Sequence, residues 1–158
     1  MSFAIELPEW FELIKVFHLP AEKPLAKMRA KAFKLGEHIK FYNPQKEEED
    51  AVKAEVLKQM AGSGPAEGPL FVSIIFYIPR PKADYGTGKN AGAVKPSAPY
   101  FHIKKPDEDN LSKFYKDVMN KIVYSDDAQV CGCFTWKQPS KNGGTVIKIY
   151  RLHKPETG

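Results

Sequence analysis

The sequence is poor in cysteine and lacks long hydrophobic runs. Only 2 of its 158 residues are Cys, too few for a disulfide scaffold, which excludes a small secreted, disulfide-stapled fold and favours a reducing compartment. The longest apolar run, residues 70–78, is far too short to span a bilayer. Residues 1–3 do not open a signal peptide, because no charged start precedes an apolar core. These absences predict a soluble, cytoplasmic protein without a membrane partner.

Arginine is also scarce, although the chain is basic. Lys and Arg exceed Asp and Glu by 24 to 19, a net charge of +5 that favours an anionic partner such as nucleic acid. Of these 24 cations only Arg29, Arg80 and Arg151 are Arg, the residue type that usually reads guanine edges. A nucleic-acid partner would therefore be held through its phosphate backbone and its shape more than through base contacts.

The chain has enough apolar residues to form one hydrophobic core. A chain of 158 residues buries roughly two-thirds of its surface as a single domain. The hydrophobic pattern predicts strands over residues 11–17, 38–42, 70–78, 129–137 and 145–152. It predicts helices over 45–60, capped by Asn43 with Pro44 at the first position, and from about 108 to 123. Strand 70–78 is expected to be central and buried on both faces.

This order of elements predicts the fold class. We expect one compact domain over residues 1–158, of the α+β class (a mixed α/β fold), with a mixed β-sheet and two main helices. In the second helix the apolar residues recur with the helical period, which predicts an amphipathic stripe facing the core. They are Leu111, Phe114, Tyr115, Val118, Met119 and Ile122.

Positive charge is concentrated in two segments. In the first, Lys27, Arg29 and Lys31 alternate, so an extended chain places all three on one face. The second, residues 79–99, is rich in Pro and Gly and is predicted to be a flexible basic loop. From 79 to 105 one acid faces six cations: Arg80, Lys82, Lys89, Lys95, Lys104 and Lys105. Such a loop is usually a solvated connector, but we expect this one to contact an anionic substrate, with His102 as a further phosphate contact or a surface residue.

Three acids crowd the start of the second predicted helix. Asp107, Glu108 and Asp109 lie together in the stretch KPDEDNLSK. The helix dipole favours acids there, and one Asp suffices as a cap, so three exceed a structural role. Carboxylates packed together stay ionised only when a cation holds them, and Asp oxygens are the ligands that Mg²⁺ prefers. Such an ion activates water and stabilises the leaving oxygen in phosphodiester hydrolysis.

Two further features complete this constellation. Lys113 lies four residues after Asp109 on the helix face opposite the apolar stripe, where it either forms a surface ion pair or points at a scissile phosphate. Asp126 and Asp127 alone are typical of a polar turn before a strand. Together with the upstream acids, Asp127 becomes a candidate third metal ligand, reached within one chain or supplied by a partner subunit.

These residues resemble a known family. The string KPDEDNLSK (residues 105–113), followed by DDAQV (126–130), is similar to the RusA-like Holliday junction resolvases of phages and prophages. Residues 27–31 and 42–44 resemble, more loosely, the family's basic N-terminal segment and its Tyr-x-Pro before the first helix. Two departures stand out. Glu108 occupies a position that is usually apolar or neutral, and the 79–99 loop is longer than the family's usual approach to the acidic motif.

The resemblance implies a function and a set of site residues. It implies a RusA-like fold and a homodimeric, Mg²⁺-dependent endodeoxyribonuclease (Mn²⁺ substituting) that resolves four-way DNA junctions in a bacterium or a phage-infected cell. Asp107, Asp109 and Asp127 would bind the metal and act in catalysis with Lys113, and Asp126 would be an auxiliary acid. We expect Glu108, which departs from the family pattern, to be a second auxiliary acid because it adds charge beside the metal ligands. The expected DNA contacts are Lys27, Arg29, Lys31, Arg80, Lys82, Lys89, Lys95, His102, Lys104 and Lys105.

Two alternatives remain open at this point. In the first, the protein binds DNA junctions without cutting them, and the acids merely cap a helix and neutralise the basic loop. In the second, it is a less selective metal-dependent nuclease that acts on flaps or single strands. Cleavage of a four-way junction, compared with binding and with cleavage of unbranched DNA, separates the three interpretations.

Overall fold

The computed structural model describes residues 6–20 and 23–157. Residues 1–3, for which no signal peptide is expected, lie outside the described residues. The helices and strands, in chain order, are β1 (Phe11–Leu19), β2 (Lys31–Leu35), β3 (His38–Tyr42), α1 (Lys46–Met60), β4 (Leu70–Pro79), α2 (Glu108–Met119), β5 (Val130–Ser140) and β6 (Gly144–Leu152). None of the helices in the described ranges has the length and apolar character needed to cross a membrane.

Four of the strands form a mixed sheet in the order β1-β6-β4-β5. The last strand, β6, lies between β1 and β4 and is antiparallel to both, whereas β5 is parallel to β4. A parallel pair needs a long crossover, which residues 80–129 supply and which contains α2. The predicted α+β class, with a mixed sheet and two helices, is therefore confirmed.

The core lies between one face of this sheet and the two helices. On the sheet side, β4 buries Val72, Ile74 and Phe76, and β6 buries Ile147 and Ile149. The apolar stripe of α2 is buried against them as predicted, with Ile122 half-buried just beyond the helix end. On the opposite face of β4 several side chains remain half-buried because no described helix covers them, so the expectation of burial on both faces is wrong there.

Both helices differ from the prediction at one end. The first helix has Gln45, not Asn43, at its cap position, and the Asn43 carboxamide instead accepts a hydrogen bond from the Gln45 N–H at 2.9 Å. The second helix ends at Met119 instead of continuing to 123. The chain turns there because Asn120 is extended and Lys121 has a left-handed φ of 70°. This early end sends residues 120–126 back towards the start of β5.

The hairpin formed by β2 and β3 stands apart from the main sheet. Its two strands pair with each other, and all ten of their side chains are exposed. Gly36, with a φ of 63°, opens the two-residue turn that joins them. The sequence analysis predicted β3 with its observed bounds but missed β2. We call residues 31–42 the arm.

Candidate active site

An open cleft of about 530 Å³ runs along the exposed face of α2. Asp109, Lys113 and Asp117 follow one another at intervals of four residues along this wall, as side chains on one helical face do. Asp127, from the turn that precedes β5, also lines the cleft. The described residues lining the cleft are Glu108, Asp109, Ser112, Lys113, Lys116, Asp117, Tyr124, Asp127 and Val130. The structure thus brings together three of the four residues expected to be catalytic.

Asp127 reaches the cleft because a short turn holds it there. It opens a 3₁₀ turn, Asp127–Gln129, whose cap is Asp126. The Asp126 carboxylate accepts a hydrogen bond from the Ala128 N–H at 2.8 Å, and the Gln129 side chain accepts one from the Asp126 N–H at 2.9 Å. The hydrogen bond from Ala128 is the main reason that the pKa of Asp126 lies below its usual value. Asp126 therefore fixes the backbone of the turn that carries Asp127.

Tyr124 forms the buried part of the cleft. Its side chain has no exposed surface, and its hydroxyl donates a hydrogen bond to the Lys116 carbonyl at 3.0 Å. Burial, with a contribution from the negative charge of Asp127, raises the pKa of Tyr124 far above its usual value. The phenol is therefore neutral at physiological pH, and it fixes the end of α2 against the turn that carries Asp127.

The first two acids of the motif are placed differently from Asp109. Asp107 occupies the cap position of α2 but makes no capping hydrogen bond, because its carboxylate pairs with the Lys105 ammonium. It is not among the described residues that line the cleft. Glu108 lines the cleft, but its carboxylate accepts a hydrogen bond from the Thr135 hydroxyl on β5. Glu108 therefore ties the start of α2 to the sheet.

The donor atoms in the cleft fit a hard divalent cation. Mg²⁺ usually takes one or two carboxylates, with water and substrate phosphate completing its shell. Asp109 and Asp127 both line the cleft and supply two carboxylates, and the described lining contains no His or Cys that would favour a softer metal. Within the described part of the chain, no three His, Cys, Asp or Glu side chains are arranged to hold a metal among them. The arrangement corresponds to a two-carboxylate site open to solvent and substrate.

Lys27 is engaged with carboxylates inside the protein. Its ammonium lies 2.7 Å from Glu49 on α1 and 3.3 Å from Asp117 on the cleft wall. Its backbone N–H donates to the Asn110 carbonyl at 2.9 Å, in the first turn of α2. Partial burial lowers the pKa of Lys27, but the hydrogen bonds to Glu49 and Asp117 outweigh it and raise that pKa overall. A DNA contact at Lys27 would have to compete with both carboxylates.

We expect the pair of Lys27 and Glu49 to give a measurable pH dependence of stability. The hydrogen bond from Lys27 lowers the pKa of Glu49 from 4.5, against the opposing effect of burial. The pair therefore stabilises the fold fully above pH 4.5 and is lost as the pH falls through the lower folded-state pKa. Glu49→Gln should reduce the free energy of unfolding by about 1 kcal/mol at neutral pH and by almost nothing near about pH 2.5.

Urea denaturation at the two pH values measures this difference. Asp50→Asn is the matched control, because Asp50 forms an exposed pair with Lys46 one residue further along the same helix. It should change stability by less than about 0.5 kcal/mol. Equal destabilisation by Glu49→Gln at both pH values would mean that packing, and not charge, accounts for the effect.

The remaining cations expected to contact DNA fall into two groups. Arg80 and Lys105 are paired with carboxylates, Arg80 with Asp84 at 3.3 Å and Lys105 with Asp107. His102 is half-buried, and burial together with nearby Lys137 lowers its pKa, so the ring is neutral at pH 7. The others are exposed: Arg29, Lys31, Lys82, Lys89, Lys95 and Lys104.

The basic loop has internal structure. It contains two 3₁₀ turns, Lys82–Asp84 and Gly88–Asn90, and an isolated bridge between Tyr85 and Val94. The Arg80 guanidinium donates to the Pro99 carbonyl at 2.7 Å, which joins the two ends of the loop. The loop therefore presents its exposed lysines from a folded segment at one end of β4.

Comparison with known proteins adds one match. The sequence model of the family described as endodeoxyribonuclease RusA matches residues 22–150. This range contains every residue of the cleft, the basic loop and the arm. No curated protein sequence matches the chain significantly.

Proposed function

Because the chain belongs to the RusA family of endodeoxyribonucleases, we propose that it resolves branched DNA, four-way junctions above all, with Mg²⁺ as its cofactor and Mn²⁺ as a substitute. The observation that carries this proposal is the cleft on α2. It is lined by Asp109, Lys113 and Asp127 together, and it is open to solvent. Exposed lysines of the basic loop provide the charge that a phosphate backbone requires.

Each residue of the cleft has a defined task in this proposal. Asp109 and Asp127 would hold the ion, which when bound supplies an activated water and charge stabilisation at the phosphate. Lys113 places a positive charge four residues from Asp109 on the same wall, where negative charge develops on the phosphate. Asp107 would join the ligands once its carboxylate leaves Lys105. Asp126 would hold the turn that carries Asp127, and Glu108 would hold the start of α2 against β5.

We also propose that the active form is a homodimer joined through the uncovered face of the main sheet. Phe11, Phe71 and Tyr150 cluster on this face, with the rings of Phe11 and Phe71 5.0 Å apart, and Leu13 beside them is 48% exposed. Such an exposed apolar patch is typical of an interface. Two identical active sites suit paired nicks in opposite strands of a junction.

Sedimentation equilibrium tests the dimer. The expected mass is twice 17.8 kDa for the natural chain and 17.8 kDa for Leu13→Lys, because two ammonium groups would be buried in a symmetric contact. Leu57→Lys, at a site 56% exposed on α1, is the control and should remain dimeric. Dissociation by Leu57→Lys but not by Leu13→Lys would place the contact elsewhere.

Cleavage of synthetic DNA tests the activity. A labelled four-way junction and a linear duplex of the same arm sequence are incubated with the protein in Mg²⁺ or in EDTA. The proposal predicts nicks with 5′-phosphate and 3′-hydroxyl ends in the junction, in Mg²⁺ alone. Binding without cleavage at any protein concentration would support the non-catalytic alternative. Comparable rates on unbranched DNA would support the less selective nuclease.

A further inference from the structure

We propose that the arm, residues 31–42, is a DNA-binding β-ribbon that recognises the branch point. In this inference, which rests on the proposed function, the lysines of the arm hold phosphates and its apolar tip packs on base pairs exposed where DNA strands separate. The arm would thereby provide part of the selectivity for branched over linear DNA. Three observations carry the inference: the exposure of the arm, the alternation of its side chains and the way its base is fixed beside the cleft.

The first observation is that the arm exposes large apolar side chains without support from the core. Phe41 is 73% exposed and Ile39 66%, and Phe33, Leu35 and Tyr42 are each about half exposed. A two-stranded hairpin whose side chains are all exposed is only marginally stable, and exposed apolar residues in such a hairpin point to a binding partner.

The second observation is the pattern of charge along the arm. Lys31 lies opposite Tyr42, Phe33 opposite Lys40, and Lys34 opposite Ile39, so cations alternate with aromatic or aliphatic side chains on both faces. Interleaved cations and aromatic rings are typical of nucleic-acid surfaces. Protein interfaces are depleted in lysine, and a symmetric contact between two arms would bring like charges together. The pattern therefore favours DNA over a second protein chain.

The third observation is that the base of the arm is fixed at the active site. The buried Gln45 side chain accepts from the Met28 N–H and donates to the Ala26 carbonyl, both at 2.7 Å, which clamps the chain entering the arm to the chain leaving it. One residue away, Lys27 contacts Asp117 on the cleft wall. Strands of five residues extend about 17 Å, roughly half a turn of duplex. DNA bound in the cleft would therefore pass within reach of the arm.

The tip of the arm is suited to a branch point in particular. Leu35 directly precedes the turn and Ile39 follows it after His38, and the register places Leu35 and Ile39 on opposite faces of the ribbon. Apolar side chains on DNA-binding proteins enter base steps that are partly unstacked, and a two-stranded ribbon fits a DNA groove. A linear duplex keeps its base pairs stacked, whereas strand exchange at a junction interrupts the stacking. The tip therefore has an apolar partner in branched DNA that a linear duplex does not offer.

Two double variants of the full-length chain test this inference. The tip variant carries Leu35→Ser and Ile39→Ser, and the cation variant carries Lys34→Gln and Lys40→Gln. All four side chains are exposed, so neither variant removes core packing. The control is Leu57→Ser, because Leu57 is 56% exposed on α1 and Leu35 is 54% exposed. Affinity for a four-way junction and for a linear duplex of the same arm sequence is measured by fluorescence anisotropy in EDTA.

The two variants should differ in which DNA substrates they bind more weakly. The tip variant should bind the junction about tenfold more weakly and the duplex unchanged. The cation variant should lose affinity for both, and its slope of log affinity against log salt should fall by about two. A tip variant that binds the junction as tightly as the natural protein does would overturn the inference. An unchanged salt slope in the cation variant would also overturn it. Dissociation of the tip variant into monomers would also overturn it, by assigning the arm to the subunit contact.

The same measurements separate this inference from the proposed function. If the natural protein prefers and cleaves junctions while both arm variants behave like it, the arm inference alone fails. If the natural protein shows no preference for the junction and no cleavage, the proposed function fails and the arm inference fails with it.

Discussion

Replacing Asp109 with Asn should reduce the single-turnover rate of junction cleavage by about 10³-fold or more while leaving junction binding intact. The substitution keeps the size and shape of the side chain but removes a charged oxygen ligand from the wall of the cleft. Mg²⁺ depends on carboxylate charge to be held, so the ion should be lost from the site at ordinary concentrations. Binding depends on the exposed lysines, which the substitution does not touch.

The control for Asp109→Asn is Asp50→Asn. Asp50 is an exposed acid on α1 that pairs with Lys46, away from the cleft. The Asp50→Asn protein should cleave the junction at the same rate as the natural protein. That result would exclude a general effect of changing the net charge by one. Two results would contradict the assignment of Asp109. One is full activity of Asp109→Asn, and the other is a parallel loss of binding and cleavage, which would indicate misfolding or a DNA contact.

Replacing Lys113 with Met should have the second largest effect, a loss of about 10²- to 10³-fold in cleavage rate. Met keeps the unbranched stem of the side chain and removes only the ammonium, which lines the cleft and which the proposed function directs at the phosphate. Because the cation acts mainly on charge that develops in the transition state, the single-turnover rate should fall far more than the affinity. The salt slope of binding should decrease by no more than about one.

Two further variants serve as comparisons for Lys113→Met: Lys58→Met and Lys113→Arg. Lys58 is an exposed lysine in the last turn of α1, so its replacement controls for the loss of one positive charge. Lys113→Arg keeps the charge on a bulkier group and should restore part of the rate. A Lys113→Met protein that loses affinity in proportion to its rate would show that Lys113 only binds the phosphate backbone.

The features that sequence alone predicted well are local ones. The stripe of α2 repeats with the helical period, and the same spacing that buries Leu111 and Phe114 leaves Asp109 and Lys113 on the exposed side. Both the helix and one wall of the cleft were therefore predictable from about a dozen residues. The bounds of β3 were predictable for the same reason, since a strand of alternating residues is defined by its own sequence.

The features that the sequence analysis missed depend on contacts between distant segments. The position of β6 between β1 and β4 is set by packing across the whole chain, which no local pattern encodes. Lys27 was expected to contact DNA because its charge was visible, whereas its partners lie 22 and 90 positions away in Glu49 and Asp117. Lys116 also lines the cleft, but no sequence motif distinguishes it from neighbouring lysines.

The acids at the start of α2 also show the difference between what a local pattern predicts and what distant contacts decide. Three adjacent carboxylates were visible in the sequence, but their separate partners were not. Asp107 pairs with Lys105, Glu108 is bound by Thr135 from β5, and Asp109 lines the cleft. Helical geometry turns successive side chains by about 100°, so neighbours in sequence point to different surroundings. The proposed pair of metal ligands therefore consists of Asp109 and Asp127, which is distant in sequence. Asp107 is near Asp109 in sequence but does not line the cleft with it.

Anomalous diffraction from crystals soaked in Mn²⁺ tests the central claim most directly. The claim is that the cleft on α2 holds the metal through Asp109 and Asp127. The account predicts one or more anomalous peaks in this cleft, with carboxylate oxygens of both residues at coordination distance, and no peak there in Asp109→Asn. A manganese peak bound elsewhere on the chain, with Asp109 and Asp127 too far apart to share an ion within or between subunits, would contradict it.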